Sequence, residues 1–95
     1  MITKLQQDAR LLAIDAGLNP ETLVPFSAGW VRPSGDDMRL IMKLAGFTGS
    51  AAGAYVGVDP RQIRKWVAGA PAATYAGWCL LVKAAGLGDI PPDNK

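Results

Sequence analysis

Length, composition and charge place this 95-residue chain among small folded proteins and exclude most catalytic chemistry. Apolar residues make up 49% of the chain and charged residues 19%, which favours one globular domain over a disordered segment. There is no histidine and only one cysteine, so the commonest general base and metal ligand is missing and no intramolecular disulfide can form. We therefore expect a protein that is not an enzyme and needs no cofactor or metal.

The sequence gives no sign of a membrane span or a secretion signal. Its apolar runs, such as GWCLLV, are far shorter than the ~20 residues that a bilayer-spanning helix requires. Charged residues interrupt the apolar positions of the N-terminus, which a signal peptide would not show. We expect no membrane association and a cytoplasmic location.

The first predicted helix spans residues 3–17. Apolar residues recur in it at spacings of three and four, which predicts a stripe that faces the core. The stripe consists of Leu5, Ala9, Leu12 and Ala16, with Leu11 and Ile14 beside it.

The following segment, VPFSAGWVRPSGDD, contains two prolines and two glycines and has no helical period, so it predicts an ordered linker. Phe26 and Trp30 would be costly to leave in water. We expect Trp30 to cover one end of the core; the alternative is an anchor for a protein partner that binds residues 20–33. Residues 1–35 as a whole are expected to pack on the domain formed by residues 36–88.

Helical spacing is clearer after Asp36. A second helix carries an inward stripe of Met38, Ile41, Met42 and Ala45. Thr48 can cap a third helix that is rich in small residues. A fourth helix, residues 60–68, follows Asp59, which has capping-box spacing to Gln62. Together these segments predict an all-α domain of four to five helices.

A fifth helix, from about Ala73 to Ala85, is apolar on nearly every side. Such a helix is either central in its domain or meets another subunit. The second alternative predicts a dimer interface on one side of the helix, formed by Tyr75, Trp78, Leu81 and Val82. The N-terminal helix is the second choice for this interface. Residues 89–95 are polar and proline-rich, which predicts a flexible tail.

The third and fourth helices have the spacing of a helix-turn-helix. Gly57 suits the positive φ that the turn needs, and small residues such as Gly53 let the two helices approach closely. With Ile63 and Trp66 facing the core, four polar residues lie on the outer and flanking faces of the fourth helix: Arg61, Gln62, Arg64 and Lys65.

Those outward residues are of the kinds that contact DNA. Arginine can form two hydrogen bonds to guanine and glutamine can pair with adenine, while lysine more often meets phosphate. Residues 31–70 carry six basic and three acidic side chains, and no acid lies between Pro60 and Gly69. A face that serves only solubility usually mixes both signs. The alternative is a solvated helix face; we favour contact with double-stranded DNA.

Residues 36–86 resemble the Xre/lambda-repressor-like helix-turn-helix regulators of bacteria, phages and plasmids. The matching segment is RLIMKLAGFTGSAAGAYVGVDPRQIRKWVAG, with the family's anchors at Leu44, Ala52, Val56, Gly57, Val58, Ile63, Trp66 and Gly69. Thr48-Gly49-Ser50 departs from the family pattern, which usually has here a glutamine that touches phosphate or buttresses the recognition helix. Thr48 and Ser50 are included among the predicted DNA contacts. Gly53 replaces the family's usual alanine, which weakens the helix by up to ~1 kcal/mol.

The resemblance implies a transcriptional repressor or autoregulator that places residues 60–68 in the DNA major groove. One recognition helix touches only a few base pairs, so we expect a homodimer on a palindromic operator with half-sites about 34 Å apart. The rival hypothesis is a protein-binding module, such as an antitoxin, adaptor or inhibitor, that uses the helix-turn-helix as a scaffold. A regulator of the first kind would reside on the nucleoid in the cytoplasm.

Overall fold

Five α-helices and two 3-10 turns form the chain in the computed structural model, which describes residues 3–90. No strand occurs in this range, so the predicted all-α class is confirmed. None of its helices is long and apolar enough to cross a membrane. In chain order the elements are α1 (Lys4–Asp15), the 3-10 turns Pro20–Leu23 and Phe26–Ala28, α2 (Gly35–Ala45), α3 (Gly49–Val56), α4 (Pro60–Ala68) and α5 (Tyr75–Ala84).

Side-chain caps fix where the helices after the linker begin. The hydroxyl of Ser34 accepts from the backbone N–H of Asp37 at 3.1 Å, and Thr48 and Thr74 cap α3 and α5 in the same way. Asp59 caps α4, but its carboxylate accepts from the N–H of Arg61, two residues on. The predicted capping box with Gln62 is therefore replaced by a cap one residue shorter.

Helix α5 is the centre of the domain. Trp78, Leu81 and Val82 have no exposed surface, and the indole Nε1 of Trp78 donates to the carbonyl of Thr22 at 2.8 Å. This corrects the predicted dimer interface, since three of its four side chains lie inside the subunit. An all-round apolar helix is explained here by burial within one chain, with α2, α3 and the linker packed around it.

The linker is ordered, as its aromatic residues predicted. The indole of Trp30 is half-buried and donates to the same Thr22 carbonyl at 3.0 Å, so it covers one end of the core. Its ring also packs edge-on against Tyr75, the fourth residue of the predicted interface, with centroids 5.1 Å apart. Phe26 contacts both rings but remains 65% exposed, contrary to the expectation that it would be buried.

Helix α1 lies at the edge of the domain, and its predicted inward stripe is wrong. Leu5 is 81% exposed and Leu12 is 72% exposed, while Ala13 is the buried residue of the helix. The position of Ala13 relative to the two leucines shows that the helix is rotated by roughly a quarter turn from the predicted orientation.

Hydrogen bonds to the segment after α5 hold α1 in place. The guanidinium of Arg10 donates to the carbonyls of Leu87 and Asp89 at 2.7 and 2.8 Å. Burial lowers the pKa of Arg10, and the nearby Asp89 carboxylate opposes that shift. Because Ile90 is buried, packing continues past the predicted start of the flexible tail at residue 89; residues 91–95 lie outside the described part of the chain.

Candidate nucleic-acid interface

The turn between α3 and α4 is as tight as the sequence predicted. Gly57 ends α3 with a φ of +90°, a left-handed conformation that favours glycine. A Cβ atom on Gly53 would lie 2.6 Å from the carbonyl oxygen of Val58. Alanine therefore does not fit at this position, and Gly53 is required by the close approach of α3 to the turn.

The inner face of α4 is locked into the core. Ile63 has no exposed surface and Trp66 is 2% exposed. The indole of Trp66 lies directly on α5, where a Cβ atom on Gly77 would come within 2.7 Å of its Cη2 atom. This packing fixes the rotation of α4 about its axis, so the side chains on its other faces point away from the core.

Three cations of α4 are exposed to solvent: Arg61, Arg64 and Lys65. The Nε atom of Arg61 is 3.7 Å from Asp59 Oδ1 in a pair whose side chains are 78% and 63% exposed. A pair this exposed is weak and can be broken at little cost. Within residues 3–90, Arg64 and Lys65 form no ion pair with an acidic side chain.

Arg64 shares a groove with a cation that the predicted DNA contacts did not include. The groove, about 440 Å³ in volume, runs between α2 and α4 and is lined by Arg39, Met42, Gly49, Ile63, Arg64, Val67 and Ala68. Arg39 is exposed, and its Nη1 atom donates to Asp36 Oδ1 at 2.6 Å. The excess of basic residues in 31–70 was the sequence signal that could have pointed to Arg39. Helical spacing within one element, however, cannot show that α2 and α4 share a surface.

Gly49 brings the N-terminus of α3 to this same groove. Thr48 and Ser50, the predicted contacts on either side of it, are exposed. The hydroxyl of Thr48 accepts from the N–H of Ala51 at 3.1 Å, so its oxygen already serves as the helix cap. Its O–H can still donate a hydrogen bond outward.

Gln62 is separated from Arg64. It is half-buried and lines a different groove, of about 550 Å³, which runs between α4 and α5 and also includes Val58, Trp66 and Leu80. Arg61 and Lys65 therefore lie on the outer face of α4, with Arg64 on the α2 side and Gln62 on the α5 side. The structure keeps the four predicted residues on one helix but divides them among three faces.

Two curated proteins are similar to this chain over most of its length. A transcriptional repressor protein KorC of Escherichia coli is 42% identical over 79 residues, which cover 80% of this chain and 92% of that protein. A second protein of the same name and organism is 35% identical over 79 residues with the same coverage of both chains. No protein-family model matches the chain. No solved structure shows significant similarity to it.

Proposed function

The chain belongs to the family of the transcriptional repressor protein KorC, and we propose that it represses transcription by placing α4 in the major groove of an operator. The observation that supports this most directly is the arrangement of α4. Its inner face is buried through Ile63 and Trp66, while Arg61, Arg64 and Lys65 are exposed with no acidic residue on the helix. We further propose that it acts in the cytoplasm, by occupancy of DNA and without catalysis.

Each of these polar residues has a role that follows from its chemistry. Arg61 and Arg64 can each direct two N–H groups to O6 and N7 of guanine, and Gln62 can pair with the edge of adenine. Lys65 suits a phosphate, because it is a point charge on a flexible stem. Arg39 lies across the groove from Arg64 and extends the positive surface onto α2, where a DNA backbone would pass.

The N-terminus of α3 supports the same docking. Gly49 lines the groove that contains Arg64, and the exposed residues Thr48 and Ser50 lie on either side of it in the chain. Partial positive charge at a helix N-terminus favours a phosphate there. Such a contact would set the position of α4 on the duplex without reading sequence.

We assign the helix-turn-helix to the Xre/lambda-repressor-like class. The assignment is supported by the tight turn at Gly57, the inward Ile63 and Trp66, and the left-handed Gly69 that ends α4 with a φ of +82°. A protein of this class would bind a palindromic operator as a homodimer, with its two α4 helices about 34 Å apart. The promoter upstream of its own gene is the first operator to test.

The experiment compares operator and scrambled DNA at fixed salt by fluorescence anisotropy. Arg61→Ala and Arg64→Ala should each weaken operator binding by ~1–3 kcal/mol and relax the preference for operator over scrambled DNA. Lys65→Ala should weaken both DNAs alike and reduce the salt slope by about 1. Lys83→Ala is the matched control, because it removes one exposed cation that lines neither of the two grooves beside α4.

Unchanged operator binding by the Arg61→Ala/Arg64→Ala double variant would refute the assignment of α4.

The second candidate function, a protein-binding module, is favoured by the exposed ring of Phe26 next to Trp30 and Tyr75. Equal binding to operator and scrambled DNA, together with a tight co-purifying protein that Phe26→Ala releases, would support that function instead.

A further inference from the structure

We propose that α1 is the dimer interface, and that it packs antiparallel against α1 of a second copy of this chain. Binding of a dimer to the operator requires a contact surface between two subunits, and the inference specifies that surface. It therefore rests on the proposed function. It replaces the predicted face of α5, on which Trp78, Leu81 and Val82 are buried within the subunit.

A continuous apolar seam along the outer side of α1 is the observation behind this proposal. Its large side chains, Leu5 and Leu12, are 81% and 72% exposed. Ala9, which is half-buried, lies between the two leucines, and Ala16, which is exposed, follows Leu12. Next to the seam is a shallow groove of about 150 Å³ with entirely apolar lining residues: Ala9, Leu12, Ala13, Ala16, Leu44, Ala85 and Leu87. Leu44 is itself 46% exposed, so the patch extends from α1 onto α2.

The seam is complementary to itself. Its spacing of four, three and four residues is that of a coiled-coil contact between two helices. A twofold axis across the middle of α1 would place Leu5 opposite the partner's Ala16, and Leu12 opposite the partner's Ala9. Each large side chain then meets a small one, and each contact occurs twice, as a twofold interface requires.

Charges beside the seam favour the antiparallel direction. Lys4 lies at the start of α1 and Asp15 at its end. An antiparallel pair brings Lys4 close to the partner's Asp15 at both ends of the interface. Parallel helices would instead leave Lys4 and the partner's Asp15 at opposite ends of the interface. Within residues 3–90, Lys4 pairs only with Asp8, at 3.6 Å and with both side chains exposed, and Asp15 forms no ion pair.

The interface is expected to be weak in the absence of DNA. One twelve-residue helix and Leu44 present a smaller contact than the surface of a permanent dimer. Operator DNA binds both subunits and so favours the dimer by mass action. The dimer should therefore form at high protein concentration and become more stable on the operator.

Sedimentation equilibrium on the full chain tests the proposal over about three decades of protein concentration. Leu12→Ser should weaken self-association at least tenfold. Leu11→Ser is the matched control, because Leu11 is 61% exposed on the same helix but outside the seam, and it should leave self-association unchanged. Circular dichroism should show equal helix content in the two variants, so that a loss of α1 is not mistaken for a loss of the interface.

A charge exchange tests the direction of the helices. Lys4→Glu and Asp15→Lys should each weaken self-association, and the double variant should restore it, because both intersubunit pairs are then re-formed with reversed signs. The proposal is overturned if the wild type is monomeric both in solution and on the operator. It is also overturned if Leu12→Ser self-associates as the wild type does, or if Leu11→Ser weakens self-association as much as Leu12→Ser.

Binding to a DNA fragment with a single half-site separates this inference from the proposed function. Leu12→Ser should bind one half-site as the wild type does and lose affinity only for the full operator. Normal self-association without operator preference would refute the DNA-binding assignment and leave the interface standing. Operator preference that Leu12→Ser does not change would refute the interface and leave the DNA-binding assignment standing.

Discussion

Helices α4 and α1 present apolar residues at the same spacing, but the two helices use them in opposite ways. In α4 the apolar residues Ile63 and Trp66 are buried, and the polar residues are exposed. In α1 the leucines at positions 5, 11 and 12 are all exposed, and a small residue, Ala13, faces the core. Apolar spacing thus identifies a helix and its apolar side, but it does not tell what covers that side.

The difference lies in the surroundings of each helix. Helix α4 packs against both α2 and α3, and its tryptophan contacts α5. Helix α1 packs on the core through one side only, with Ala13 buried and Ile14 partly buried, and Arg10 ties it to the carbonyls of Leu87 and Asp89. Substitutions should therefore affect the stability of the whole domain when they lie in α3 or α4, and mainly local order when they lie in α1.

The largest expected effect comes from removing the buried indole of α4. Trp66→Ala should lower the free energy of unfolding by about 3–5 kcal/mol, because it leaves a cavity between α4 and α5. Leu11→Ala, in α1, should change it by less than about 0.5 kcal/mol, because that side chain is 61% exposed. Urea denaturation measures both. A cost for Leu11→Ala close to that of Trp66→Ala would contradict the contrast between the two helices.

The next effect concerns the contact of α3 with the turn. Gly53→Ala should cost about 1–3 kcal/mol, because its Cβ would press on the carbonyl of Val58 and the strain exceeds the gain in helix propensity. Gly49→Ala provides the comparison, since a Cβ there meets no atom within 4 Å. The Gly49→Ala variant should be about as stable as the wild type. If Gly53→Ala were more stable than the wild type in the same denaturation assay, the turn would have to shift at little cost, contrary to this prediction.

Arg10 tests whether α1 is held locally. Arg10→Met keeps the apolar stem but removes the hydrogen bonds to the carbonyls of Leu87 and Asp89. The expected cost is about 1–2 kcal/mol. Hydrogen exchange should show faster exchange in α1 and residues 85–90, with α3 and α4 unchanged. Equal acceleration in α4 would mean that α1 and the helix-turn-helix unfold as one unit.

The smallest effect compares the N-caps of the two helices. Asp59→Ala should cost about 1 kcal/mol of global stability, because it removes the acceptor for the Arg61 N–H at the start of α4. Thr3→Ala removes the corresponding acceptor for Gln6 in α1. It should increase fraying of α1 with a smaller change in the midpoint of urea unfolding. A larger midpoint shift for Thr3→Ala than for Asp59→Ala would mean that α1 contributes more than α4 to the stability of the whole domain, contrary to this prediction.

The helix-turn-helix was the most predictable part of the fold. Gly57, the apolar anchors at 63 and 66 and the polar outer residues each satisfy a local requirement of that motif, so they could be identified from their spacing alone. Arg39 could not be assigned in this way, because it joins Arg64 only through the packing of α2 against α4. The division of Gln62 from Arg64 likewise depends on which neighbour lies on each side of α4.

The sequence by itself determined the helical class, the turn and which face of α4 carries positive charge, because these depend on residues within one or two helical turns of each other. Only the tertiary structure decided that α5 is interior and that the leucines of α1 are exposed. Both helices are rich in apolar residues, and the apolar surface that a helix buries depends on how many neighbours surround it. That number is set by the path of the whole chain.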